Sequence, residues 1–224
     1  MTVTTLRTVV LFPSPGKTFG GVDVGPDCRF VTSTTLLLVR HGETDWARER
    51  LHTGRSDVPL NARGEDQARK LAGALPIAQP AVVWVSPLQR AQQTARLAGL
   101  AVDRVDADLI EWDYGAADGR STVEIREEVP GWDVWDHGVG VLGAGGETVE
   151  DVGLRADKVI ERAKAVRGAV VLVAHAHLLR VLAARWIGMD PVGGRHFLLD
   201  PAGWAVLGWE RESPVVERWN PSSR

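Results

Sequence analysis

The 224-residue chain has one cysteine, Cys28. A lone thiol closes no internal disulfide, so a cytoplasmic location is expected. No apolar run approaches the roughly 20 residues of a membrane-spanning helix. The opening stretch, MTVTTLRTVVLF, is too short for the hydrophobic region of a secretory signal, and no small-residue cleavage pattern follows it at the right distance. An excess of basic charge is also missing. The formal net charge of -3 argues against broad nucleic-acid binding, although a local basic pocket is compatible with it. What is present is ordinary for a soluble globular protein: 44% hydrophobic and 25% charged residues. The length suits one full α/β core, or at most two small domains.

Residues 1 to about 33 differ from the rest. Pro13, Pro15, Gly16, Gly20, Gly21, Gly25 and Pro26 interrupt them and no period is sustained, which predicts a loosely ordered extension over 1–33 and a folded domain over 34–224. From Thr34 onward the pattern is regular. TLLLV (35–39), AVVWV (81–85) and AVVLVA (169–174) are short, continuous apolar runs of the kind buried on both faces of a parallel sheet. Between them lie helical patterns over 61–75, 87–100, 147–166 and 176–189, and two closing strands are expected at 204–210 and 215–219. Alternating strands and helices predict a three-layer αβα sandwich with a mostly parallel central sheet.

Three of these strands end in related chemistry. TLLLV runs into Arg40 and His41, AVVWV into Ser86 and then Arg90, and AVVLVA into His175, with His177 two residues on. A further strand-like stretch, VDRVDADLI (102–110), ends in Glu111, Trp112 and Asp113. Parallel strands present their carboxyl ends at one edge, where ligands bind. Guanidinium groups match phosphate oxygens as planar forks. Imidazoles among arginines are disfavoured from taking a second positive charge, and a neutral imidazole can accept a phosphoryl group. A carboxyl group can protonate the leaving alkoxide and then activate water. Gly42 is expected to let the chain turn close to the ligand. Taken singly, His41 reads as a hydrogen-bonded surface residue, Arg90 as a solvated helix residue, and Glu111 as uninformative. Their joint placement carries the reading.

These pieces, in their order, resemble the histidine phosphatase superfamily, also called phosphoglycerate mutase-like. Arg40-His41-Gly42-Glu43-Thr44 resembles its phosphohistidine signature. Thr53-Gly54-Arg55 with Asp57 and Pro59-Leu60, Ser86-Pro87-Leu88-Gln89-Arg90-Ala91, Glu111-Trp112-Asp113-Tyr114-Gly115, Gly146-Glu147-Thr148 and Val173-Ala174-His175 resemble the segments that follow. The resemblance implies that His41 is the nucleophile, that Arg40, Arg90 and His175 bind the transferred phosphoryl group, and that Glu111 donates and accepts the proton. It further implies a substrate pocket that includes Thr44, Thr53, Gly54, Trp112, Tyr114, Ala176 and His177, with His52 beside them, and no metal or other cofactor. Trp112 and Trp135 are expected to face substrate as flat apolar surfaces. Two positions depart from the family's pattern: Ala47 where many members have Asn, and Ala176 where the second histidine is usually followed by Gly.

Only about thirty residues separate Gly115 from Gly146, and Trp112 and Asp113 stand where mutases of the family carry basic residues. Both features favour a phosphatase. The Glu-Trp-Asp-Tyr-Gly segment, the tryptophans from Trp132 to Gly138, and Phe197-Leu198-Leu199-Asp200 resemble the subgroup of bacterial acid phosphatases and sedoheptulose-1,7-bisphosphatases. The expected activity is a metal-independent phosphomonoesterase acting on sugar phosphates. Its alternatives are mutase-type phosphoryl transfer, a non-catalytic phosphate- or phosphoprotein-binding module, and a metal hydrolase built on His41, His175 and His177. The expected partner is a small phosphorylated metabolite, with neither nucleic acid nor membrane; a homodimer is left open.

Overall fold

The computed structural model describes residues 34–221, so the extension expected over 1–33 lies outside the described residues. In chain order the elements are β1 (Thr35–Arg40), α1 (Asp45–Arg48), α2 (Ala62–Leu71), β2 (Val82–Val85), α3 (Gln89–Leu97), β3 (Arg104–Val105), α4 (Thr122–Glu128), α5 (Val134–His137), α6 (Val149–Lys164), β4 (Ala169–Ala174), α7 (Ala176–Trp186), β5 (Trp204–Glu210) and β6 (Ser213–Trp219). The strands form one sheet in the order β3-β2-β4-β1-β5-β6. The four strands from β3 to β1 are parallel, and β5 and β6 add antiparallel pairs at one side.

Side-chain alternation along the strands explains the layers. Leu36 and Leu38 of β1, Trp84 of β2, and Val170 and Leu172 of β4 face the cluster containing Val152, Ala156, Val159, Leu178 and Leu182 of α6 and α7. Leu37, Val39, Val83, Val85, Val171 and Val173 face the other side, where Leu71 of α2 and Ala91 and Ala95 of α3 cover them. Because both faces are covered, these strands read as unbroken apolar runs rather than alternating ones.

The helix ends follow from local chemistry. Asn61 caps α2 by accepting the Gly64 N–H, and Gly73, with φ +75°, stands just beyond its end at Leu71. Thr148 and Asp151 form a reciprocal capping box at the start of α6.

One expected strand is cut short. Over 102–110 only Arg104–Val105 pairs with β2, and a 3-10 turn takes Ala107–Leu109. The alternating VDRVDADLI pattern resembles a strand. Its carboxylates have other work: Asp106 caps the turn through the Asp108 N–H, and Asp106 and Asp108 both pair with Arg162 of α6. Glu111 therefore follows a turn rather than a strand.

The register sets the functional edge. Arg40 lies opposite Ala174, and the ladder runs one step on, with the His41 N–H donating to Ala174 O (3.0 Å). Ser86 N–H donates to Val173 O (3.0 Å), so the ends of β1, β2 and β4 sit side by side. On its other flank the Arg40-His41 segment is held by the loop before β5: Arg40 N–H donates to Gly203 O, and Ala202 N–H donates to His41 O. The expectation for Gly42 needs a different reason. A β-carbon there would lie 2.3 Å from Gly64 O, so glycine is required because α2 packs against the loop at that point.

Candidate active site

His41 lies at the end of β1 and lines a cavity of about 210 Å³ with Arg40, Thr44, Thr53, Glu111, Tyr114 and His177, among others. Its Nδ1 is 2.7 Å from Gly42 O. A carbonyl only accepts, so Nδ1 carries the proton and Nε2 of the neutral ring keeps its lone pair. Burial, then the positive charges of Arg90 and Arg40, hold the His41 pKa well below the usual imidazole value. The ring is therefore an unprotonated nitrogen base beside two guanidinium groups.

His175 stands next to it, with ring centroids 5.1 Å apart. Arg90 Nε–H donates to its Nδ1 (3.2 Å), which leaves Nε2 as the protonated nitrogen, 2.7 Å from Ser86 Oγ. Both nitrogens are thus engaged, and His175 reaches a ligand only by exchanging its Ser86 partner. Burial and the nearby Arg90 keep it neutral as well.

Arg90 is fully buried. Its other donors go to Ser56 O (2.8 Å), Thr53 O (3.1 Å) and Gly54 O (2.9 Å), which leaves one Nη1 hydrogen uncommitted. Gly54 accordingly shapes the site from behind, through its carbonyl. Arg40 donates to Leu199 O (2.6 Å) through Nη1. Its Nε is one of two buried side-chain nitrogen or oxygen atoms without a hydrogen-bond partner among the described residues. Arg40 itself lines the cavity and gives one Nη1 hydrogen to the protein, so the remainder of its guanidinium can meet an anion.

Glu111 is brought in by a helix end. Its Oε1 accepts N–H groups from Trp112 (2.9 Å) and Leu178 (3.0 Å), and its Oε2 accepts the His177 N–H (3.2 Å). The carboxylate thus caps the first turn of α7, immediately after His175. Arg155 of α6 holds the segment from behind. It donates to Asp108 O, Ile110 O and Glu111 O, and also grips both oxygens of Glu147.

Tyr114, the chain's one tyrosine, hydrogen-bonds His177 Nδ1. Burial raises the tyrosine pKa well above its usual value and lowers that of His177 well below its own, so the phenol donates and the imidazole accepts. His52 also lines the cavity, with Nε2 3.1 Å from Thr122 Oγ1.

Two expectations about aromatics are corrected. Trp112 is fully buried; its Nε1 donates to Glu147 O (2.8 Å), and its ring stacks beneath Tyr114 and meets Trp135 edge-on. Trp135 is 8% exposed, with the Arg180 guanidinium 4.8 Å over its ring. Neither lines the cavity; both support Tyr114 and His177 from below. Thr44 and Ala176 do line it, and so does Ala47. Residues the sequence reading missed are Arg50 and Leu51 on the rim, and Arg155 behind Glu111.

His41, His175 and His177 do not gather into a metal site. Among the described residues no group of three or more His, Cys, Asp or Glu side chains is placed to hold an ion. A larger depression of about 760 Å³, lined by Gln92, Arg96, Val102 and Val105 among others, contains none of these catalytic candidates. Chemistry, not size, identifies the site. Among the described residues no helix is long and apolar enough to cross a membrane.

The buried histidines give the fold a pH dependence. His41, His175 and His177 are neutral when folded, with pKa values depressed below the usual 6.5. Below pH 6.5 the unfolded chain binds protons that the folded chain refuses. Stability is then fully present above that pH and is lost as the pH falls toward the folded-state values, by up to about 1.4 kcal/mol per pH unit for each histidine. Thermal melts between pH 8 and pH 5 should show little change above pH 7 and a steepening fall below 6.5. A melting temperature that is flat down to pH 5 would contradict the depressed values.

An unprotonated imidazole among buried arginines, with a carboxylate at the same cavity, defines a phosphate-handling site, and the chain belongs to the histidine phosphatase superfamily (branch 1), whose profile matches residues 36–222. It is a phosphatase. An acid phosphatase of Mycobacterium tuberculosis is 38% identical over 185 residues, covering 80% of this chain and 89% of that protein. Sedoheptulose 1,7-bisphosphatase of Saccharomyces cerevisiae is 31% identical over 187 residues, covering 68% of this chain and 67% of that protein. Among solved structures, that of the open reading frame Rv3214 from Mycobacterium tuberculosis superposes with a TM-score of 0.76 at 36% identity, covering 84% of this chain and 97% of that one. A mycobacterial glucosyl-3-phosphoglycerate phosphatase, described in complex with VO3, gives a TM-score of 0.71 at 29% identity, over 84% of this chain and 99% of that one.

Proposed function

We propose that this phosphatase hydrolyses phosphomonoesters of small sugar-like metabolites through a phosphohistidine on His41. The observation that carries the reading is the His41 ring: its proton is held on Nδ1 by Gly42 O, its Nε2 lone pair is available, and neighbouring cations keep it unprotonated. Nε2 attacks phosphorus, the N–P bond forms as the ester P–O bond breaks, and the Glu111 carboxyl gives its proton to the departing oxygen. Water then surrenders a proton to Glu111 and attacks phosphorus. The P–N bond breaks, and its electron pair returns to Nε2. Charge on the transferring oxygens is met by Arg40, which lines the cavity with His41, and is favoured by the positive charge of Arg90 buried behind it.

Substrate size follows from the cavity. About 210 Å³ lies below the roughly 300–1,000 Å³ typical of drug-sized ligands, which favours a small metabolite over a phosphorylated protein segment. Tyr114, His52, His177 and Thr53 place polar groups around the pocket, suited to a polyol rather than an apolar alcohol. The similarity to a sedoheptulose bisphosphatase and a glucosyl-3-phosphoglycerate phosphatase supports the same class.

The test is rapid quench with a radiolabelled sugar phosphate in excess chelator. A phosphoenzyme stable in alkali and lost in acid, formed within one turnover, is the expected result. Turnover with no labelled protein at any quench time would overturn the covalent route.

A further inference from the structure

We propose that Arg50 binds a second anionic group on the substrate, a phosphate or carboxylate remote from the transferred phosphoryl group. The proposal rests on the phosphatase reading above and deepens it, from phosphomonoesters in general to small molecules that carry two anionic groups.

Arg50 lines the same cavity as His41. It is exposed, and among the described residues no carboxylate pairs with it. The acidic neighbours on its own turn are already taken: Arg48 pairs with Asp45 at 3.0 Å and approaches Glu49 at 3.7 Å. Arg40, the other guanidinium lining the cavity, donates to Leu199 O beside His41, and Arg90 lies buried behind the lining with its donors on loop carbonyls and His175. Among the residues that line the cavity, Arg50 is thus the exposed guanidinium, with its fork open to a ligand.

Its backbone adds an independent observation. Arg50 follows the end of α1 with φ +61°, in the left-handed region where glycine ends helices without a β-carbon penalty. Four non-glycine described residues have positive φ, and of these only Arg50 lines the cavity. The conformation is fixed on both sides. Arg50 N–H donates to Ala47 O and Leu51 N–H donates to Trp46 O, and Leu51 then bridges to Ser121. A costly residue held at a defined spot on a cavity rim is a sign of function. The charge balance agrees: two guanidinium groups, those of Arg40 and Arg50, line the cavity against the single Glu111 carboxylate.

The experiment compares paired substrates that differ by one anionic group: fructose 1,6-bisphosphate against fructose 6-phosphate, and 3-phosphoglycerate against glycerol 3-phosphate. Each is measured in the wild type, in Arg50→Gln, and in Arg50→Gly, which removes the cation while easing the left-handed turn. Specificity constants are referred to that of p-nitrophenyl phosphate for the same variant. The wild type should prefer the doubly anionic member of at least one pair by about tenfold, and both variants should lose that preference through KM rather than kcat. Loss in Arg50→Gln with retention in Arg50→Gly would assign the effect to the turn and overturn the proposal. So would an unchanged ratio in both variants. A wild type that hydrolyses none of the esters would instead refute the phosphatase reading itself.

Discussion

Replacing His41 by alanine should lower turnover by about 10⁴-fold or more, the scale on which a covalent nucleophile is lost. The fold should survive, because among the described residues the side chain makes one hydrogen bond, to Gly42 O, and has no charge partner. A second consequence separates catalysis from folding. His41 is one of the groups that resist protonation when folded, so His41→Ala should depend less steeply on acid below pH 6.5, by about 1.4 kcal/mol per pH unit. Steady-state assay and melts at pH 7 and pH 5 read both effects. A variant that keeps more than a tenth of wild-type turnover would remove His41 as nucleophile.

Glu111→Gln should show its effect through the leaving group. A sugar alkoxide is a strong base and leaves only as it is protonated, whereas nitrophenolate leaves unaided. Turnover of sugar phosphates should fall by about 10²- to 10⁴-fold, and formation of the phosphoenzyme from p-nitrophenyl phosphate should fall far less. There is a structural cost too. The carboxylate accepts three backbone N–H groups, and an amide must turn its NH₂ toward at least one of them. That mismatch should cost about 1–3 kcal/mol, read as a lower melting temperature. An equal loss with both substrates would mean that Glu111 positions α7 and does not move a proton.

The sheet and the pairing of its strand ends were legible in the sequence because β1, β2 and β4 are buried on both faces, which writes a continuous apolar run into each. The positions of His41 and His175 followed from where those runs stop. The stretch 102–110 misled because its carboxylates alternate for a different reason, to cap a turn and meet Arg162. Trp112 was misplaced because it adjoins Glu111, and adjacency says nothing about which way a side chain points. Its indole turns inward to Glu147 O. Arg50 sits in Ala-Arg-Glu-Arg-Leu, a string that reads as a solvated helix. Only a backbone angle shows that the helix has already ended. Arg155 went unseen because its targets are backbone carbonyls forty-odd positions away, which leave no mark on residue type.

The tie between the Arg40-His41 segment and the loop before β5 bears on when this site takes shape during the chain's own synthesis. Arg40 and His41 are made early, yet three of their hydrogen-bond partners, Leu199 O, Gly203 O and Ala202 N–H, are made about 160 residues later. A ribosome-bound chain that stops before Leu199 carries His41 without the contacts that hold its segment in place. Contacts across so long a stretch of chain are slow to form. The site around His41 is therefore complete only once the segment from Leu199 to Gly203 has been made and has folded back beside β1.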